Sequence, residues 1–122
     1  MQKQPTFRSS VARQEILVRT YETPTVYIIS ITGSMTGRNG AYILKAVERL
    51  KNISKTTVAI EMHNVLHIDS AGLAALVNTR KYLIERSYRV VLVGCVEAVR
   101  QALSLTRIEA LFPIYPTIHS IP

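Results

Sequence analysis

The sequence has a single cysteine, Cys95, so no internal disulfide can form, a usage that suits a reducing compartment. No apolar stretch approaches the roughly 18 residues that a membrane-spanning helix requires. Met1-Gln2-Lys3-Gln4-Pro5 leads into no apolar signal segment, and the chain is expected to be cytoplasmic. His63, His67 and His119 show no metal-ligand spacing, so neither a metal nor another cofactor is assigned. Acidic residues are scarce, 8 against 15 Lys and Arg, which gives a formal charge of +7 and a pI near 9.9. Clustered, such an excess would fit a phosphate backbone. Here Lys3, Arg8 and Arg13 stand in a terminal segment, while Lys45, Arg49, Lys51, Arg80, Lys81 and Arg86 fall on or beside two expected helices, mixed with Glu48 and Glu85. That distribution describes a solvated helix surface, or a docking face for an acidic protein, better than a nucleic-acid groove.

What is present is apolar patterning. With 48% hydrophobic residues, 122 positions suit one compact domain, and neither an internal repeat nor a low-complexity segment divides them. Residues 1–13 are expected to be a flexible tail and 14–122 the domain. Glu15-Ile16-Leu17-Val18-Arg19 and Thr25-Val26-Tyr27-Ile28-Ile29-Ser30-Ile31 read as strands of a hairpin, with a turn near Glu22-Thr23-Pro24. A helix from about Gly40 to Leu50 places Ile43, Leu44, Val47 and Leu50 on one face. A strand at Thr57 to Glu61, a helix from about Ser70 to Arg86 and a strand at Arg89 to Val93 form a parallel crossover unit. A third helix turns Val96, Val99, Ala102 and Leu103 inward before a last strand at Phe112-Pro113-Ile114-Tyr115. The order predicts an α/β domain with helices packed on a sheet.

The most informative stretch is Leu66-His67-Ile68-Asp69-Ser70-Ala71-Gly72-Leu73-Ala74-Ala75-Leu76-Val77. Here a strand-like run gives way to helical spacing, with Leu73, Leu76, Val77, Leu83 and Ile84 expected on one face. Asp69 or Ser70 is then the helix cap, accepting a hydrogen bond from a first-turn N–H. Gly72 lets another backbone or a partner come close. A phosphate on Ser70 would meet free N–H groups and the positive end of the helix dipole.

Other chemistry is sparse. Gly33-Ser34-Met35-Thr36-Gly37-Arg38-Asn39-Gly40 is a glycine-rich strand-to-helix loop, but it lacks the Gly-Lys-Ser/Thr ending of a nucleotide-binding loop and reads as a flexible connector. Cys95 follows a buried strand with no partner to lower its pKa, as in an inert core thiol.

Asp69-Ser70-Ala71-Gly72-Leu73, between an apolar strand and an amphipathic helix, resembles the Asp-Ser-Ser/Thr-Gly-Leu signature of STAS domains, the family of bacterial anti-sigma factor antagonists. Ile31-Thr32-Gly33 before a helix is similar to the family's Leu-x-Gly turn, and Val96 to Leu103 resembles its third helix. The likeness covers roughly Glu15 to Tyr115. It implies a STAS-like single domain with a mixed β-sheet and helices packed on it, no enzymatic activity, and Ser70 as phosphoacceptor. It also implies a partner-switching protein that binds a kinase acting as an anti-sigma factor, is released by phosphorylation and is restored by a phosphatase. The partner-binding residues it implies are Asp69, Gly72, Leu73, Thr36 and Arg38. The sequence departs from the pattern at Thr36, where many antagonists carry aspartate, at Ala71, which replaces a hydroxyl residue, and at Arg107, where glycine is common. Two other readings stand beside this one: a STAS scaffold module of a stressosome-like or lipid-transport assembly, and a basic nucleic-acid-binding domain.

Overall fold

Alternation along Ile16–Glu22 (β2) puts Ile16, Val18 and Thr20 inward, and the chain reverses at Thr23 to form Val26–Gly33 (β3). The reversal is fixed by Thr23, whose N–H donates to the Val26 carbonyl at 2.9 Å while its Oγ1 accepts from the Val26 N–H at 3.0 Å. The expected hairpin is present, with antiparallel pairing from Ile16 opposite Gly33 to Glu22 opposite Tyr27.

The computed structural model describes residues 6–9 and 16–122. Thr6–Ser9 (β1), inside the stretch expected as a tail, pairs antiparallel with β2; the rest of that stretch, and Glu15, lie outside the described residues. After β3 come helix Arg38–Glu48 (α1), strand Thr57–Asn64 (β4), helix Ser70–Ile84 (α2), strand Arg89–Val93 (β5), helix Glu97–Leu105 (α3) and strand Ile114–Tyr115 (β6). The sheet runs β1-β2-β3-β4-β5-β6, antiparallel through β3 and parallel from β3 to β6, so the predicted crossover β4-α2-β5 is one of three in succession. This is the predicted mixed α/β sheet with helices packed on it, and α1, α2 and α3 all lie on one face.

The main core lies between that face and the helices. Tyr27, Ile29 and Ile31 of β3, Val58, Ile60 and Met62 of β4, and Val90 and Leu92 of β5 meet Ile43 and Val47 of α1, Leu73, Leu76 and Leu83 of α2, and Val99 and Leu103 of α3. Each such side chain contributes about 1.5–3 kcal/mol by leaving water. On α2 the inward face is rotated from the expected one. Val77 is half-buried and Ile84 is 41% exposed, while Gly72, Ala75 and Thr79 complete the inner face. Small residues belong there because α1 crosses close by: a Cβ on Gly40 would lie 2.9 Å from the Ala71 carbonyl oxygen and 3.2 Å from the Ala75 Cβ. On α1, Leu44 is only half-buried, and Asn39, Gly40 and Ala46 are buried with Ile43 and Val47; the helix ends at Glu48, so half-buried Leu50, expected on its inner face, lies beyond it.

The opposite sheet face carries a second cluster of Val26, Ile28, Ala59, Val91 and Val93, against which Ile118 and Ile121 of the C-terminal turn pack. At its rim the Tyr21 hydroxyl donates to the Glu61 carboxylate, 3.0 Å from either oxygen. Burial, then this bond to a carboxylate, pushes the Tyr21 phenol up to about 12.

One buried polar atom on α2 has no partner. The Thr79 hydroxyl, in a residue 1% exposed, makes no hydrogen bond. Thr79→Val removes that desolvated hydroxyl and is expected to stabilise the domain by about 1 kcal/mol, raising Tm by roughly 4 °C. An unchanged or lowered Tm in a thermal melt would contradict this.

Candidate functional site

Two loops at the C-terminal edge of the sheet form the site, one following β3 and the other following β4. The Met35 N–H donates to the His67 carbonyl at 2.9 Å and the Asp69 N–H to the Met35 carbonyl at 3.2 Å, making a short parallel bridge from Met35 to Ile68. The Met35 side chain is fully buried beneath it. On the other side of the first loop, buried Asn39 donates from Nδ2 to the Ser34 carbonyl at 3.1 Å. The Gly33–Gly40 segment, expected as a flexible connector, is therefore a tethered loop. The sequence shows no sign of this, because its partners lie some thirty residues away.

Asp69 is the tie. Its Oδ1 accepts from the Gly72 N–H at 2.9 Å, which makes it the N-cap of α2, and its Oδ2 accepts from the Gly37 N–H at 2.9 Å. One carboxylate thus caps a helix and clamps the neighbouring loop. The Gly37 bond first, and the Gly72 bond second, hold its pKa below the usual carboxylate value. Of the two candidate caps, Asp69 is the one used.

Ser70 is consequently the first residue of α2, exposed, and its hydroxyl makes no hydrogen bond among the described residues. It is positioned by its neighbour and available to a partner. Because Asp69 already holds the Gly72 N–H, the first turn has fewer free donors for a phosphate on Ser70 than a bare helix start offers. Such a phosphate would face outward.

Gly72 and Leu73, expected at the partner surface, are buried, Leu73 to 8% exposure. A Cβ on Gly72 would collide with the Met35 carbonyl oxygen, so the backbone whose approach Gly72 permits is the chain's own. Both residues shape the site from below. Thr36 is half-buried in the tethered loop, and its carbonyl accepts from the Asn39 N–H at 3.1 Å. Arg38 is exposed and opens α1 directly after Gly37, so its backbone stands beside the Asp69 clamp. The structure thus brings Asp69, Ser70, Thr36 and Arg38 to one edge.

Leu66 was not anticipated as a site residue. It is 58% exposed on the rigid second loop, next to exposed His67 and four residues before Ser70. The sequence signal was a break in pattern: buried Val65 and half-buried Ile68 flank a leucine that does not point inward.

Elsewhere the chemistry is quiet. Among the described residues no three His, Cys, Asp or Glu side chains are grouped to hold a metal ion. Burial pushes the Cys95 thiol up to about 11, which keeps it protonated at neutral pH. Arg107, where the family pattern favours glycine, has φ 62°, the left-handed region that glycine enters without strain. No helix among the described residues is long and apolar enough to cross a membrane.

A mixed sheet with α1, α2 and α3 on one face, and an Asp-Ser junction clamped between two loops at its edge, define a STAS-type domain. The STAS domain family model matches residues 18–121, and the chain belongs to that family. An anti-sigma factor antagonist from Mycobacterium paratuberculosis has a similar structure, with a TM-score of 0.74 and 23% identity over 85% of this chain and 88% of that one. The anti-sigma factor antagonist SpoIIAA in its unphosphorylated form aligns with a TM-score of 0.61 and 16% identity, over 84% and 90% of the two chains. A murine solute carrier 26 anion transporter contains the same fold, with a TM-score of 0.70 and 18% identity over 83% of this chain but 18% of the transporter. No curated protein matches the sequence.

Proposed function

We propose that this protein is an anti-sigma factor antagonist whose binding to an anti-sigma factor with serine kinase activity is controlled by phosphorylation of Ser70. The carrying observation is Ser70 itself: exposed, without a hydrogen bond of its own, and fixed in place by the Asp69 clamp beside it. A partner docks over the edge formed by Ser70, Arg38, Thr36 and Leu66. The domain itself catalyses nothing; the kinase acts on it, and a phosphatase reverses the change in the cytoplasm.

The switch is electrostatic. A phosphate adds about 1.5 to 2 negative charges next to the Asp69 carboxylate. With the Gly72 N–H already bonded to Asp69, the helix start neutralises only part of that charge, and a partner must desolvate the rest. Binding is lost while the fold, which does not involve the Ser70 side chain, is kept. SpoIIAA, a protein of the same fold known in an unphosphorylated form, supports the same kind of control.

A second reading has one observation in its favour: the fold also occurs within a solute carrier 26 transporter, consistent with a scaffold module in a stressosome-like or lipid-transport assembly. Affinity capture from the native cell, with mass spectrometry of the partner and of Ser70, separates the two. The switch predicts a kinase-fold partner and phosphate on Ser70, absent from Ser70→Ala. A transporter ATPase as partner, or undiminished phosphate on Ser70→Ala after incubation with the kinase, rejects it.

A further inference from the structure

Charge is distributed unevenly along the helix axes. At the Ser70 end, Arg38 and Arg100 are offset by Asp69, Glu61 and Glu97. At the far end, where all three helices terminate, cations dominate. Arg49 and Lys51 follow α1, Lys81 lies in the last turn of α2, Arg86 follows it, and Arg107 follows α3. Lys45 and Arg89 add to them against Glu48, Glu85 and Glu109, while Lys55 is paired with Glu22 at 3.6 Å. The Arg86 guanidinium is held at the surface, 3.6 Å from the Tyr82 ring centre and 2.9 Å from the Tyr82 carbonyl.

Among the described residues, the same end carries three of the four exposed large hydrophobic side chains. Leu105, the last residue of α3, is 85% exposed; Ile84, the last of α2, is 41%; and Leu111, in the turn after α3, is 38%. Arg80 fixes Leu111 by donating from Nε to its carbonyl at 2.9 Å.

The geometry points to this end as a docking surface for an anionic phospholipid leaflet. Cations spread over three helix ends meet headgroup phosphates, and aliphatic tips among them enter the acyl boundary, the pairing that peripheral membrane binding uses. A nucleic acid would satisfy the cations but leave Leu105 in water. A protein partner would need a pocket for Leu105 and a matching acidic surface, whereas a leaflet supplies both at any position. With α2 15 residues long, at 1.5 Å per residue, Ser70 is held about 22 Å from the bilayer and stays accessible. Membrane docking and the Ser70 switch can therefore succeed or fail separately.

The test is co-sedimentation of the full chain with phosphatidylcholine vesicles, with and without phosphatidylglycerol. Binding is expected only with phosphatidylglycerol, and should be lost in about 1 M salt, where the screening length falls to about 3 Å. Each cation near an anionic surface is worth about fivefold in affinity, so Lys51→Ala combined with Lys81→Ala should lose roughly 25-fold. Arg100→Ala, at the other end, should bind within about twofold of wild type, which separates a local patch from net charge. Leu105→Ser, at a site already in water, should weaken binding several-fold with unchanged circular dichroism. Equal binding to both vesicles, equal losses for Arg100→Ala and Lys51→Ala, or tighter binding to duplex DNA or polyglutamate at the same salt would each overturn the proposal.

Discussion

Gly72→Ala should destabilise the domain more than any other single methyl addition near the site, by about 3 kcal/mol or more. The added carbon would strike the Met35 carbonyl oxygen and stand 2.8 Å from Ile68 Cγ1 and 2.9 Å from the Met35 carbonyl carbon. Backbone lies on both sides of that contact, and the Met35–Ile68 bridge fastens the two loops, so no flexible side chain can yield. Gly37→Ala is the comparison. Nothing lies within 4 Å of a Cβ there, but φ 53° and ψ −130° are unfavourable for alanine, a backbone cost of about 1–3 kcal/mol. Urea denaturation of the two variants distinguishes collision from backbone strain. If Gly37→Ala proves the less stable, the Met35 contact does not govern the site's shape. Because Gly72 is buried, the effect on partner binding should follow loss of structure and not loss of a contact surface.

The elements legible in the sequence were those whose signal is local. Alternation in Ile16–Glu22, the buried run at Val58–Ile60 and the Arg89–Val93 strand specify their own conformations, and the order strand-helix-strand dictates parallel crossovers. What depended on contacts distant in sequence was not legible. Ile84 satisfies the helical period as well as Leu83 does, and only the position of α1, set by Gly40 against Ala71 and Ala75, decides which turns inward. The same holds for the site. Asp69-Ser70 announces a helix cap, but nothing adjacent indicates that the second carboxylate oxygen reaches Gly37 across 32 positions. Nor does the motif distinguish residues that line the surface from those beneath it. Burial makes that division, placing Gly72 and Leu73 inside and leaving Leu66 outside.

Ser70→Glu should weaken partner binding by about 3 kcal/mol, roughly 150-fold, while Ser70→Ala binds like wild type. The argument rests on what each side chain asks of its surroundings. Ser70 is exposed and caps nothing, the cap being Asp69, so neither substitution removes a bond that the fold uses. A glutamate at the first helical position sits at the positive end of the α2 dipole, which offsets its repulsion from Asp69 in water. Folding stability should therefore stay within about 0.5 kcal/mol of wild type for both variants. A docked partner changes the balance, because it removes the water that solvates the new carboxylate. The Gly37 and Gly72 N–H groups are already bonded to Asp69, so of the nearby donors only the first-turn N–H groups of Ser70 and Ala71 remain, and the charge is buried incompletely paired. Arg38, exposed on the same edge, is the group best placed to relieve it, and adding Arg38→Ala to Ser70→Glu should deepen the loss if it does so. Isothermal titration calorimetry against the captured partner, with thermal melts of each variant, measures both quantities. Equal affinity for wild type, Ser70→Ala and Ser70→Glu would sink the proposal that Ser70 controls binding, whereas a weakened Ser70→Glu with a lowered melting temperature would trace the effect to the fold.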